Sequence, residues 1–84
     1  MPRFRGVWIG AGTDRQAQLV RRLRQLERLI AEDEIHLSRQ RRLIALLTKS
    51  GRDLTDARKL LGELETIREL HAIQQKRILA ELGD

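Results

Sequence analysis

Apolar residues recur every three or four positions along two long stretches of this chain, and one short break, Lys49-Ser50-Gly51-Arg52-Asp53, parts them. A sustained 3.5-residue repeat belongs to helices that wrap one another in a left-handed coiled coil, which points to an all-α fold. In the first stretch the seam reads Leu19, Leu23, Leu26, Ile30, Asp33, Leu37, Gln40, Ile44 and Leu47. Thr13 or Asp14 supplies an N-cap, and no Gly or Pro follows before the break, so the first helix is predicted over residues 14–49. In the second stretch the seam reads Ala57, Leu60, Leu64, Ile67, His71, Gln74 and Ile78, which predicts a helix over residues 54–82 that Gly83 ends. Gly51 suits the left-handed conformation that closes a helix. Asp53 suits the N-cap of the next one, with Asp56 adding a carboxylate in its first turn, so the turn is residues 50–53.

A loop this short makes the two helices antiparallel neighbours. If Leu47 lies level with Ala57, the register sets Ile44 against Leu60, Leu37 against Ile67, Asp33 against His71 and Leu26 against Ile78. One seam leaves Ile35, Leu46, Ile73 and Leu79 over, and grouped apolar residues of this kind imply a second buried face. With 84 residues and no cysteine there is no disulfide staple. A core in a chain of roughly 70–80 residues seldom supplies more than about 3–5 kcal/mol, so help from a partner is expected. The expected architecture is therefore an antiparallel two-helix hairpin, residues 13–84, dimerising to a four-helix bundle. Residues 1–12 hold the one Pro, Phe4, Trp8 and three of the six glycines, and read as a flexible, non-helical N-terminal arm. Phe4 and Trp8 are its candidate partner hook.

No stretch approaches the roughly 18 apolar residues that span a bilayer, and the apolar run at Val7-Trp8-Ile9 is too short for a signal-peptide core, so a cytoplasmic protein with no membrane partner is expected. Gly-rich phosphate loops, nucleophile elbows and His-Glu-x-x-His are missing from the sequence, so no catalytic residues, no enzyme activity and no cofactor are assigned. The polar positions in the seam converge on one level: Asp33 and His36 on the first helix, His71 and Gln74 on the second. A carboxylate three residues before a histidine is how bundles begin a metal site, but Arg68 stands where a second carboxylate should precede His71. The layer is read instead as a buried hydrogen-bonded pair, Asp33 with His71, that fixes register, with no metal.

The net charge of +5 is uneven, because the first helix carries most of the excess. Arg21, Arg28 and Arg42 recur at multiples of seven on its outward side, flanked by Arg24, Arg39 and Arg41, a pattern along which a phosphate backbone could lie. Glu27, Glu32, Asp33 and Glu34 interrupt that row.

His36-x-x-Arg39-Gln40, Ile44 and Leu47, the turn Gly51-x-Asp53, Ala57 with Leu60-Leu61, and Leu70-His71 followed by Arg77 and Leu79 together resemble a group of small uncharacterised bacterial α-helical hairpin proteins, over residues 36–82. Arg52 and Gln74-Gln75-Lys76 depart from that pattern. The resemblance implies a hairpin and brings no activity. The expected function is a non-enzymatic, oligomerising hairpin that is a homodimer and binds a protein partner, with a small nucleic-acid-binding hairpin using the arginine face as the alternative.

Overall fold

The computed structural model describes the backbone of residues 2–83 and the side chains of residues 14–83. Among the described residues there are two helices and no strand: α1 over Pro2–Lys49 and α2 over Thr55–Gly83. They fold back on each other as an antiparallel all-α hairpin of 75 × 17 × 15 Å. None of the described helices is long and apolar enough to cross a membrane.

The first helix does not wait for Thr13 or Asp14. It begins at Pro2 and runs without a break through the segment expected to be a non-helical arm. Pro2 sits at the first helical position, where its missing N–H is no loss and its fixed φ is already helical. Gly6, Gly10 and Gly12 each cost about 1 kcal/mol relative to Ala, but none removes a backbone donor, so the hydrogen-bond ladder continues across them. A capping residue marks a start only where the residues before it are unable to join the helix. The side chains of Phe4 and Trp8 lie outside the described residues.

Gly51 closes α1 with φ +69°, the left-handed conformation its sequence position predicts. Arg52 N–H donates to Leu47 O at 3.0 Å and Gly51 N–H to Thr48 O at 3.1 Å, the paired bonds that satisfy the last carbonyls of a helix ending on glycine. Asp53 then opens α2. Its Oδ1 accepts from the Thr55 hydroxyl at 2.7 Å and from Thr55 N–H at 3.0 Å. The Thr55 hydroxyl first, and then the Thr55 N–H, hold the Asp53 carboxyl below its ordinary value of 3.8. A depressed folded value means that the cap's contribution is complete above pH 3.8 and fades as pH falls through the lower folded value.

Leu26, Leu37, Ala57 and Ile78 are the buried apolar residues, and Asp33 and Gln40 are buried among them. On α1 this is the predicted seam. On α2 it is not. Leu60 and Ile67, expected inside against Ile44 and Leu37, remain 44% and 43% exposed. Leu61, Arg68 and Gln75 are the half-buried residues instead, so the α2 seam steps Ala57, Leu61, Leu64, Arg68, His71, Gln75, Ile78, Leu82. The two readings share Ala57, Leu64, His71 and Ile78 and differ only in which flank of that row turns inward. Two polar contacts accompany the observed choice: an ion pair between Arg68 and Glu34, and Gln40 Nε2 donating to Ala57 O at 2.9 Å. At the open end Arg15 pairs with Glu81 at 3.7 Å, so α1 continues beyond the end of α2.

Candidate functional site

The hairpin presents four places where polar chemistry or exposed apolar surface concentrates: the buried polar level, the two flanks of the seam, and the outward side of α1.

At the buried level, His71 Nδ1 lies 2.6 Å from Asp33 Oδ2, at the height the antiparallel register predicts. Asp33 is 8% exposed and accepts the bond as a carboxylate, with the ring N–H as donor. His36 does not join this level. One residue before Leu37, it is turned about 100° away from the seam and is exposed. Gln74 is half-buried at the edge, beside His71. Gln40, a seam residue of the sequence pattern, holds the second buried polar contact, on Ala57 O.

A carboxylate–imidazole pair could orient a general base, but it needs a nucleophile to act on. The hydroxyls of Thr48, Ser50 and Thr66 donate to carbonyls four residues earlier, and that of Thr55 to Asp53, so none of these is turned toward His71. Among the described residues no three His, Asp or Glu side chains converge as metal ligands. No buried polar side-chain atom of the described residues lacks a partner, so the layer is complete as a structural pair.

The two flanks of the seam differ in kind. On one, Glu34, Arg41, Glu65, Arg68 and Glu69 line the groove between the helices, with Arg68 and Glu34 in direct ion pairing. On the other, Arg22, Gln25, Leu29, Ile67, Leu70 and Gln74 line it. Helical spacing extends that second flank along each helix: Leu29, His36 and Leu43 are seven apart on α1, and Leu60, Ile67 and Gln74 seven apart on α2. Leu43, Leu60, Ile67 and Leu70 are all exposed there. The leftover residues singled out by sequence, Ile35, Leu46, Ile73 and Leu79, are exposed as well but do not form one face. At 100° per residue, Ile35 and Leu46 lie on the side of α1 opposite the seam, while Ile73 and Leu79 diverge around α2.

The outward side of α1 carries Arg21, Arg24, Arg28, Arg39 and Arg42, every one exposed. Arg41, grouped with them by sequence, points instead into the charged flank, among Glu34, Glu65 and Glu69. The acidic residues expected to interrupt the row mostly leave it. Asp33 turns inward to His71 and Glu34 pairs with Arg68. Glu27, seven residues from Glu34, shares its side of the helix, so Glu32 alone of the four borders the arginines. Asp33's inward turn follows from its place in the 3.5-residue repeat. The departure of Glu34 depends on Arg68, which the predicted α2 seam left outside.

Comparison with protein-family models, with curated proteins and with solved structures finds no match.

Proposed function

We propose that the protein works by binding rather than catalysis, as a self-associating hairpin whose apolar flank packs against a second copy of itself. The observation that carries this reading is the contrast between the core and the surface. Only Leu26, Leu37, Ala57 and Ile78 are buried apolar residues among those described, while Leu43, Leu60, Ile67 and Leu70 lie exposed along one flank. Six buried residues of which two are polar make a thin core for a chain of this length.

The flank has a suitable size and chemistry. From Arg22 to Leu43 it runs about 32 Å along α1, which across a hairpin 15–17 Å wide gives roughly 500 Å² of projected face per chain. Standard interfaces bury about 800 Å² per partner. A two-fold partner presents the same rows, so leucine and isoleucine meet leucine and isoleucine and a four-helix bundle forms. Polar residues punctuate the flank, Arg22, Gln25 and His36 on α1 and Gln74 on α2, and polar positions of this kind fix register between helices.

Sedimentation equilibrium of the full chain tests the reading. A dimer at micromolar concentration is expected, with Ile67→Glu on the apolar flank weakening association by at least about 100-fold. Leu46→Glu, on the outward side of α1, should leave the dimer unchanged. A wild-type chain that stays monomeric and fully helical at 100 µM, roughly the top of the range for a weak specific dimer, removes the proposal.

A further inference from the structure

We propose that the outward arginine row of α1 is a binding face for the phosphate backbone of duplex nucleic acid. It rests on a different side of the hairpin from the dimerisation flank and does not require that flank to be paired. Arg21, Arg24, Arg28, Arg39 and Arg42 are exposed, and none of them pairs with a carboxylate among the described residues. Two of the four acidic residues in this stretch are drawn off, Asp33 inside the hairpin and Glu34 held by Arg68; Glu27 shares the side of Glu34, and Glu32 alone borders the row. Arginines satisfied by their own helix would be a solvated surface; this row is left with its guanidinium groups free, on the one element that carries most of the positive excess. Guanidinium is also the side chain whose fork of donors matches two phosphate oxygens.

The spacing fits a duplex. From Arg21 to Arg42 the row spans about 32 Å along the axis, close to the roughly 34 Å of one DNA helical turn. It divides into two clusters, Arg21 to Arg28 and Arg39 to Arg42, with about 16 Å of helix between Arg28 and Arg39. Two clusters at that separation reach phosphates on opposite rims of a groove about 12 Å wide. The helix between them presents Ala31 and Ile35 on the same side, small and apolar, with Glu32 at its border. Two uncharged polar side chains, Ser38 beside Arg39 and Arg42 and Gln16 beside Arg21 and Arg24, stand against the row, so the recognition is chiefly of the backbone and weakly sensitive to sequence. An anionic membrane is the less suitable partner. A helix lying on a bilayer needs a continuous apolar strip to bury, and among the described residues Ile35 and Leu46 are the only exposed large apolar side chains on this side.

Fluorescence anisotropy with labelled 25-base-pair DNA and RNA duplexes of arbitrary sequence tests the proposal. Binding is expected at 50 mM salt. With about four to five phosphates contacted, affinity should fall about 250-fold between 50 and 200 mM salt. The variant Arg21→Gln/Arg28→Gln/Arg39→Gln/Arg42→Gln should bind at least about 30-fold more weakly and reduce the slope of log K against log salt by about three to four. A control that removes equal charge from α2, Arg58→Gln/Lys59→Gln/Lys76→Gln/Arg77→Gln, should bind within about threefold of wild type. Circular dichroism checks that both variants keep their helices, and Gln is a good helix former. Binding to DNA, RNA or both by this pattern supports the proposal. No binding at 50 mM salt overturns it, as does equal weakening by the two variants, which would mean that net charge and not the row is read. Capture by phosphatidylserine vesicles with no duplex binding overturns it in favour of a membrane surface.

Discussion

The two flanks of the hairpin share the same helices and the same seam, yet one completes itself and the other does not. Along the charged flank Glu34 and Arg68 pair across the helices, with Arg41, Glu65 and Glu69 around them, and every charge is within reach of an opposite one or of water. Along the apolar flank Leu43, Leu60, Ile67 and Leu70 stay exposed among the described residues. The difference bears directly on the proposed self-association. A charged flank repels a second copy by demanding desolvation, and an apolar flank of similar length invites one. Which flank is which follows from a single choice of heptad on α2: turning Leu61 and Arg68 inward sends Leu60 and Ile67 out.

The largest expected effect on this comparison comes from the polar pair that lies between the flanks. His71→Leu alone strands the buried Asp33 carboxylate and should cost about 3 kcal/mol of unfolding free energy, measured by urea denaturation. Asp33→Leu/His71→Leu together should instead match or exceed wild-type stability while broadening the distribution of oligomers seen by analytical ultracentrifugation. A double variant as unstable as the single one would mean that the pair holds the hairpin together rather than its register.

A smaller effect is expected on the charged flank. Glu34 and Arg68 are each nearly half exposed as side chains, so solvent screens the pair, and a double-mutant cycle with Glu34→Gln and Arg68→Gln should give a coupling below about 1 kcal/mol that shrinks further in 0.5 M salt. The sharpening lies in the contrast: these substitutions should leave the dimer intact, whereas Ile67→Glu on the opposite flank dissolves it.

Much of the fold was legible in sequence because it rests on local chemistry. Gly51 was the residue able to take a positive φ at the break, and Asp53 the residue able to cap what followed. The height of Asp33 opposite His71 followed from antiparallel counting alone. The choice between Leu60 and Leu61 was not legible, since adjacent leucines satisfy a 3.5-residue repeat equally well. Only the cross-helix contacts of Arg68 and Gln40 distinguish them, and such contacts carry no periodic signal. His36 was misplaced for a related reason: adjacency to the seam in sequence is a 100° rotation in space. The start of α1 was misread because three glycines and a capping pair look like a boundary, while Pro2 at the first helical position points the other way. The arginine row was visible, but its lack of ion pairs among the described residues was not, because that depends on where Asp33 and Glu34 turn.

The central claim is that the apolar flank is covered by a second copy, and the chain's lack of cysteine makes a direct measurement possible. Leu60→Cys on that flank and Leu46→Cys on the outward side of α1 both introduce a thiol at a position exposed in the single hairpin. Maleimide labelling rates for each are followed as protein concentration is raised through the dimerisation range. The account predicts that the thiol at position 60 becomes at least tenfold slower to react, about the protection expected when more than nine-tenths of the chains are paired, while that at position 46 keeps one rate throughout. Equal, concentration-independent rates at both positions would contradict it.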